Sequence, residues 1–431
     1  MADRPLTDIT GLLGPVARVE RHSLENGLEV RLVPGGQAPI VVISIWYRVG
    51  TRDETPEQGG IAHFLEHMMF KGSAKYPMGA IDRLTQSLGG ENNAFTTHDV
   101  TAYYFGFSAR HWTAALDVEA DRMESLTLDK AEFETERQVI LEEIAMYEDD
   151  PWESLEMKSA KCYYGRFPYG RSILGTRDSV AGFTIADLEA FYRRHYRVDN
   201  SVLVVAGDIP ENALAEIEAR FASMSPGGRE RMSWPPSYSA PTELGRLRHP
   251  KGATPRMLLS LPAPAATDSR YAAWRLLMAV LGNGRSSRLY RKLVDEERLC
   301  SSASAELTEM AGPGMTMIAT ELLPDAEPAA VEEATLAELV ELGKRPPTDS
   351  ELERARRLLL SDWVFGLERI QHQAMLVGQA EAVLGRSYLE SHLRGLVRCG
   401  RQDLSAVGEE LLPTAASEPG GVLGWVLAEA G

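Results

Sequence analysis

The hydrophobic and polar positions divide the chain into two halves with the same plan, strands first and helices after them. In the first half, LEVRLVP and PIVVISIWYRV are rich in β-branched and aromatic residues, which predicts strands. Helical patterns follow through roughly residue 150, and SVLVVAG, which starts at residue 201, predicts a closing strand. In the second half, RMLLSLPAP and GMTMIATEL predict strands, whereas SRYAAWRLLMAVLG, RSSRLYRKLVDEER and the run from Asp349 to about Glu381 predict helices. This order indicates α+β domains and an internal duplication.

A stretch rich in Pro, Gly and Ser separates the two halves at residues 223–246 and is typical of an exposed connector. We therefore expect an N-terminal domain over residues 1–225, a linker over 226–245 and a C-terminal domain over 246–431. Each half is long enough to build one sizeable core.

The first helix of the N-terminal half is predicted from about residue 56 to residue 71. Thr55 and Gln58 match a capping box, Pro56 suits the first helical position and Gly72 suits the stop. A second helix is predicted for MGAIDRLTQSLG, and the extended stretch AFTTHDVTAYYFGF comes after it.

The first predicted helix includes most of the segment GGIAHFLEHMMFKGS, residues 59–73, in which two histidines and a glutamate stand among apolar residues. His63, Glu66 and His67 are spaced i, i+3 and i+4, so a helix would present all three on one face. Two imidazoles one turn apart can reach one metal ion, and the glutamate between them is placed to take a proton from a bound water. The order H-x-x-E-H is the inverted form of the common zinc-protease motif. A helix that merely contains two histidines is the alternative.

A second stretch, FETERQVILEEIAMYEDDP, places two further carboxylates in an apolar setting. On a helical wheel one stripe contains Glu136, Val139, Ile140, Glu143 and Tyr147. Unpaired carboxylates inside an apolar face would be strongly disfavoured. A metal ion that needs one more oxygen ligand would supply the missing partner.

Glu143 is the better candidate for this ligand, because Glu142 lies about 100° round the helix, near its polar edge. Glu136 is expected to hydrogen-bond a ligating histidine, with a salt bridge to a nearby Arg or Lys as the alternative. Two histidines and one glutamate leave a tetrahedral zinc one position short, and an open position filled by water is typical of a catalytic site. A structural zinc site would need a fourth protein ligand.

HFLEH followed by ERQVILEE resembles the M16 family of zinc metallopeptidases, which includes pitrilysin, insulin-degrading enzyme and the mitochondrial processing peptidase. The segments that extend this resemblance through nearly the whole chain are GGENNAFTTHDVTAYYF, FPYGRSILGT, FYRRHYRVDNSVLVVAGD and LGNGRSSRLYRKLV. The resemblance implies two homologous α/β-sandwich domains that form half of a clamshell, with the zinc motif in the N-terminal domain alone. It also implies a zinc endopeptidase that hydrolyses unstructured peptides.

The resemblance also assigns roles to individual residues. It implies that His63, His67 and Glu143 bind Zn²⁺, that Glu66 is the catalytic base, and that Glu136 is the second glutamate of the family pattern.

The resemblance further marks a strand that would bind substrate. Asn93, Ala94, Phe95 and Thr96 resemble the edge strand that pairs with the substrate backbone. An ordinary half-buried strand is the alternative. His98, which is close by, is expected to be structural because the ligand count is already met.

One segment departs from the family pattern. Active members carry an Arg and a Tyr seven residues apart in a segment like LREKRGLAY, whereas this chain has LVDEERLCS, with Val294 and Ser301 at those positions. Neither side chain can donate to a developing charge as a guanidinium or a phenol would. Since the chamber of the family is built from four homologous domains, we expect a heterodimer with a homologous subunit that carries the pair. A non-catalytic binding or scaffold subunit is the alternative, favoured by the missing pair and disfavoured by the intact metal motif.

Composition narrows the class of partner and the compartment. The net charge of −17 argues against nucleic acid, since phosphate binding needs a basic surface. No apolar run is long enough for a membrane span, and no secretory signal opens the chain. Three widely separated cysteines form no disulfide framework, which favours the cytoplasm. A periplasmic location would require a signal that has been removed.

Overall fold

The structure is a computed structural model that describes residues 9–36, 38–228, 238–249, 254–411 and 419–427. Within these residues the chain forms two mixed sheets with helices packed against them, which confirms the predicted α+β class. Part of the predicted linker 226–245, residues 229–237, lies outside the described residues. The first strand of the second sheet begins at Leu244, just inside that predicted linker.

The strands follow one another along the chain in two groups. They are β1 (Glu20–Ser23), β2 (Glu29–Pro34), β3 (Ile40–Tyr47), β4 (Glu91–Thr96), β5 (Thr101–Ser108) and β6 (Ser201–Gly207) in the first half, and β7 (Leu244–His249), β8 (Arg256–Ala263), β9 (Cys300–Leu307), β10 (Gly314–Leu322) and β11 (Gly421–Val426) in the second.

The α-helices are distributed between and after these strands. They are α1 (Ile9–Leu13), α2 (Ile61–Met68), α3 (Ala80–Ser87), α4 (Thr113–Glu124), α5 (Lys130–Asp149), α6 (Pro151–Tyr164), α7 (Arg177–Gly182), α8 (Ile185–His195) and α9 (Ala213–Phe221) in the first half, and α10 (Tyr271–Gly282), α11 (Arg288–Tyr290), α12 (Pro328–Lys344), α13 (Asp349–Gly366), α14 (Ile370–Gln379), α15 (Tyr388–Arg398) and α16 (Arg401–Leu411) in the second.

The two sheets share one topology. The first has the strand order β1-β2-β6-β3-β5-β4 and the second β7-β11-β8-β10-β9, so five strands correspond one to one. Each sheet has one parallel pair, β2 with β6 in the first and β7 with β11 in the second. The three following pairs are antiparallel in both sheets: β6–β3, β3–β5 and β5–β4 in the first, and β11–β8, β8–β10 and β10–β9 in the second. The same order and directions in both sheets support the predicted internal duplication.

Each sheet is covered on one face by a helix from the other half of the chain. Helix α14 packs on β3 and β6, and helix α6 packs on β8 and β11. A Cβ on Gly378 of α14 would lie 2.0 Å from the ring of Trp46 on β3, and a Cβ on Gly424 of β11 would lie 2.6 Å from Leu155 of α6. Glycine at both positions lets helix and sheet approach closely, so the two halves share a core.

Side chains alternate between the two faces of the first sheet, as the pleat requires. Ile43 and Ile45 of β3 belong to the core on the side of α2, whereas Val42 and Trp46 belong to the core under α14. Both faces are therefore buried, which explains the nearly continuous apolar run that predicted this strand.

The first described helix, α1, packs with the C-terminal half of the chain. Helix α1 packs against the second core, and the carbonyl of Leu12 accepts a hydrogen bond of 2.9 Å from the indole of Trp363. Residues 9–13 therefore pack with the C-terminal half, although the predicted N-terminal domain includes them.

The predicted helix over residues 56–71 is shorter than expected. Pro56–Gln58 forms a separate 3₁₀ turn, in which the N–H of Thr55 donates to Gln58 Oε1, and α2 begins only at Ile61. The break falls at Gly60, which has φ +92° and whose Cβ would lie 2.5 Å from the carbonyl oxygen of Leu174. Because the backbone of Gly60 lies against that of Leu174, the turn that starts at the Thr55 capping box does not continue into α2.

Two helices predicted in the second half are also interrupted. RSSRLYRKLVDEER forms the short helix α11 and then π-helical backbone over Arg291–Glu296. The run from residue 349 to 381 breaks where α13 ends at Gly366 and α14 begins at Ile370. A Cβ on Gly366 would lie 2.6 Å from the ring of His372. This tight turn sends α14 back onto the first sheet.

Among the described helices, none combines the length and the apolar character that crossing a bilayer requires.

Candidate metal centre and active site

Helix α2 is held at its N-terminus by Glu54, a buried side chain that sequence reasoning missed. Glu54 Oε2 accepts from the N–H of Gly60 and Oε1 from the N–H of Ala62, each at 3.0 Å. Burial raises the pKa of Glu54 to about 8, although these two backbone hydrogen bonds oppose the rise. Since Glu54 lies six residues before Gly60, the N-cap position of α2, no local pattern identifies it as the cap.

Helix α5 lies beside α2 and is fixed to it through aromatic packing. Asp129 caps α5 by accepting from the N–H groups of Ala131 and Glu132 at 2.8 and 3.1 Å. Phe64 of α2 stacks on Phe133 of α5 with ring centroids 5.0 Å apart and an interplanar angle of 4°. The two helices are thus held in a fixed relation.

His63, His67 and Glu143 converge where these helices meet. Glu143 Oε2 lies 3.8 Å from His63 Nε2 and 3.7 Å from His67 Nε2. Ligands of a tetrahedral zinc at 2.0–2.1 Å would be about 3.4 Å apart. The donor set therefore fits a zinc ion. In the part of the chain that the structure describes, no other group of three or more His, Cys, Asp or Glu residues converges in this way.

Glu136 both orients His67 and forms an ion pair, so the two alternatives for this residue occur together. Glu136 Oε2 lies 3.0 Å from His67 Nδ1, and Oε1 lies 2.5 Å from Lys71 Nζ. A proton on Nδ1 that donates to Glu136 leaves the lone pair of Nε2 facing Glu143. Burial alone would raise the pKa of Glu136, but the bonds to His67 and Lys71 hold it below its ordinary value.

Lys71 is a second residue that sequence reasoning missed. It lies four residues after His67, beyond the end of α2 at Met68, and the i+4 spacing within the helix predicted over residues 56–71 is the signal that could have indicated it.

The two imidazoles are in different electrostatic environments. Burial and the neighbouring His67 lower the pKa of His63 to about 3, so its ring is neutral and has a free lone pair. The buried Nδ1 of His63 has no hydrogen-bond partner among the described residues. Burial would also lower the pKa of His67, but Glu136, Glu66 and Glu143 raise it above its ordinary value.

Glu66 lies next to this cluster and is held by a strand residue. The hydroxyl of Thr96 donates to Glu66 Oε2 at 2.5 Å. Burial raises the pKa of Glu66, and the hydrogen bond from Thr96 partly offsets the rise.

The four residues predicted to bind substrate lie on β4, which is the edge strand of the first sheet. The N–H of Ala94 donates to the side-chain oxygen of Asn93 at 2.8 Å. The ring of Phe95 packs edge-on against Trp46, on the face covered by α14. Its side chain therefore contributes to the core, and Thr96 contacts Glu66.

His98 does not belong to the group formed by His63, His67 and Glu143. Its Nδ1 is 2.6 Å from the hydroxyl of Thr51, and burial lowers its pKa to about 4. This environment agrees with the structural role expected for it.

The apolar stripe predicted on α5 is only partly buried. Ile140 is fully buried, but Val139 and Tyr147 are 45% and 37% exposed. The expectation of a buried apolar face was wrong here, because α5 packs inward through Ile140 and Ile144 while the side that carries Glu143 faces an open cavity of about 900 Å³. This cavity is lined by His67, Glu134, Thr135, Gln138, Val139, Glu142, Glu143 and Met146.

The two positions at which the chain departs from the family pattern lie in the second half. Val294 packs against the second core, and Ser301 is exposed and donates to the carbonyl of Glu321 at 3.3 Å.

Comparison with known proteins places the chain in a family. The family model described as insulinase, peptidase family M16, matches residues 33–177, and that of the peptidase M16 inactive domain matches residues 182–359. YmxG of Bacillus subtilis, an uncharacterized zinc protease, is 31% identical over 85% of this chain and 89% of its own length. The zinc protease PqqE of Helicobacter pylori is 28% identical over 92% of this chain and 89% of its own length. The chain belongs to the M16 peptidase family.

Solved structures show the same fold. A protease from Helicobacter pylori has a TM-score of 0.87 at 25% identity and covers 95% of this chain and 99% of its own. The periplasmic protease PqqL from Escherichia coli has a TM-score of 0.80 at 21% identity over 95% of this chain, which matches 47% of the PqqL chain. The predicted pair of homologous α/β-sandwich domains is confirmed.

Proposed function

We propose that this chain is the zinc-bearing subunit of an endopeptidase that hydrolyses unstructured peptides. The observation that carries the proposal is the convergence of His63, His67 and Glu143 beside Glu66, at the edge of an open cavity. The names of the relatives YmxG and PqqE, both described as zinc proteases, support the same function.

Zinc held by His63, His67 and Glu143 would supply a Lewis acid that activates water and polarises the scissile carbonyl. Glu66 would take a proton from the attacking water and pass it to the leaving amine nitrogen as the C–N bond breaks. Its burial raises its pKa, which makes it a stronger base than an exposed carboxylate. Glu136 would keep the lone pair of His67 Nε2 available by accepting from Nδ1.

The substrate would bind as an added strand along β4. Backbone groups at an edge strand recognise an extended peptide mainly through main-chain hydrogen bonds. Of the four predicted residues, Asn93 and Ala94 would contribute through the strand backbone once the Asn93 side chain releases the N–H of Ala94, whereas the side chains of Phe95 and Thr96 contact Trp46 and Glu66. Segments that are already unfolded would be preferred, because a folded segment cannot pair with this edge.

A homologous partner subunit would complete the enzyme by carrying the Arg/Tyr pair that Val294 and Ser301 replace here. The match to about half of PqqL supports pairing, since the PqqL chain is about twice as long as this one. The chain alone should therefore hydrolyse an unstructured peptide far more slowly than the complex. Full activity of the purified chain without a partner would contradict the heterodimer.

The decisive test of the chemistry is Glu66→Gln in the complex loaded with zinc. Bound zinc should remain at the wild-type level, whereas the rate of peptide hydrolysis should fall by a factor of about 10²–10⁴. Glu57→Gln, which changes an exposed glutamate nearby, should leave both unchanged. Hydrolysis that survives Glu66→Gln would exclude Glu66 as the base.

A non-catalytic binding subunit is the second candidate, favoured by Val294 and Ser301. It predicts that the zinc-loaded wild-type complex binds an unstructured peptide and cleaves none. Measuring binding and cleavage of the same peptide separates the two functions.

A further inference from the structure

One side chain links the edge strand to the predicted catalytic base. Thr96 is the last residue of β4 and is buried, and its hydroxyl donates to Glu66 Oε2 at 2.5 Å. Glu66 lies on α2, so the bond joins the strand proposed to seat the peptide to the helix that carries the metal motif. Sequence reasoning placed Thr96 among the substrate-binding residues and gave it no contact with Glu66.

The neighbouring hydroxyl does not compete for this bond. Thr101 on β5 donates its own hydrogen to the carbonyl of Val49 at 3.0 Å, and its oxygen lies 3.4 Å from that of Thr96. A hydroxyl has a single hydrogen to donate. The Thr96 hydroxyl therefore donates to Glu66 Oε2 at 2.5 Å and not to the Thr101 oxygen at 3.4 Å.

This bond distinguishes the two oxygens of Glu66. Oε2 accepts from Thr96, and no hydrogen bond to Oε1 occurs among the described residues, so Oε1 is the oxygen better placed to exchange a proton. A carboxyl group that ends a flexible side chain would otherwise rotate between several orientations. Small errors in the placement of a catalytic group reduce the rate by about 10²-fold.

We propose that Thr96 is a positioning residue that orients Glu66 and couples this orientation to the seating of a peptide along β4. The inference rests on the proposed function. In the described residues β4 pairs with β5 alone, so a peptide added at its other edge gives the strand a second partner. Holding the strand on both sides holds Thr96, and through it the free oxygen of Glu66.

The test compares Thr96→Val, which keeps the shape and removes the hydroxyl, with Thr96→Ser, which keeps the hydroxyl. In the zinc-loaded complex acting on a long unstructured peptide, Thr96→Val should lower kcat by about 10- to 100-fold, with KM within about twofold of wild type. Thr96→Ser should recover most of kcat. Thr335→Val, the same change at a buried hydroxyl in α12 that bonds the carbonyl of Val331, should leave kcat unchanged.

The dependence of kcat on peptide length tests the coupling between peptide binding along β4 and the orientation of Glu66. A peptide long enough to lie along β4 should be cleaved with a higher kcat than a short one containing the same scissile bond. Thr96→Val should remove most of this advantage. A valine variant that keeps wild-type kcat, or the full length advantage, would overturn the inference.

A readout without catalysis separates this inference from the proposed function. Crystal structures of wild type and Thr96→Val should show Glu66 in one orientation in the former and displaced or in several orientations in the latter. A wild-type complex without hydrolysis refutes the proposed function, and with it the catalytic part of the inference. Glu66 unmoved in the valine variant refutes the positioning role itself.

Discussion

Glu136 Oε2 lies 3.0 Å from His67 Nδ1, and this contact determines which nitrogen of His67 faces His63 and Glu143. The carboxylate is also paired with Lys71 at 2.5 Å, so it is held from both sides. A carboxylate in this position fixes the orientation of a ligating imidazole and raises its basicity.

Glu136→Gln should weaken zinc binding by about 10- to 100-fold, because the neutral amide orients His67 less firmly. Zinc titration against a competing chelator measures the change. Glu142→Gln, an exposed glutamate on the same helix, is the matched control and should leave affinity unchanged. Equal affinities for the two variants would refute the orienting role.

Removal of zinc should lower the melting temperature, since the ion binds only where α2 and α5 are folded together. At a free zinc concentration 100 times the dissociation constant, the stabilisation is about 2.7 kcal/mol. Thermal unfolding with and without a chelator measures it. His67→Ala should melt at the same temperature under both conditions, and a zinc-dependent shift in that variant would locate the ion elsewhere.

Gly378→Ala should destabilise the fold by about 1–3 kcal/mol, because the new methyl group overpacks against Trp46. Urea unfolding measures the loss. Gly182→Ala provides the control, since a Cβ at that position meets nothing within 4 Å. Wild-type stability in Gly378→Ala would show that α14 can move away from the sheet at little cost.

Glu54 should make stability depend on pH. Its pKa is about 8 in the folded chain, against an ordinary value of 4.5. Between these two values the folded chain keeps the proton on Glu54, whereas the unfolded chain has lost it. The stability that the protonated side chain contributes is therefore complete below the unfolded pKa and is lost as the pH rises towards the folded pKa. The free energy of unfolding of wild type relative to Glu54→Gln should therefore fall between pH 5 and pH 8. Urea unfolding of both proteins across this range would show a constant difference if Glu54 were already ionised at pH 5.

Much of the site follows from spacing along single helices. His63, Glu66 and His67 share a face through their i, i+3, i+4 spacing, and the helical wheel separates Glu143 from Glu142. These predictions need only a helix, and the structure supplies one at each place. The duplicated fold is likewise indicated by the repeated order of strands and helices.

The remaining features depend on contacts between distant segments. The helix predicted from residue 56 starts only after Gly60, because the backbone of Gly60 meets Leu174, and α14 turns away from the axis of α13 to cover the first sheet. The bond from Thr96 to Glu66 joins a strand to a helix thirty positions earlier. No local pattern encodes such contacts, since each depends on how elements pack in three dimensions.

A crystal structure of the zinc-loaded chain with anomalous data at the zinc edge tests the metal site most directly. We expect one zinc ion with His63 Nε2, His67 Nε2 and a Glu143 oxygen at about 2.0–2.2 Å, and a fourth position left to solvent. A zinc ion that lacks Glu143 as a ligand, or one bound by four protein side chains, would contradict this expectation.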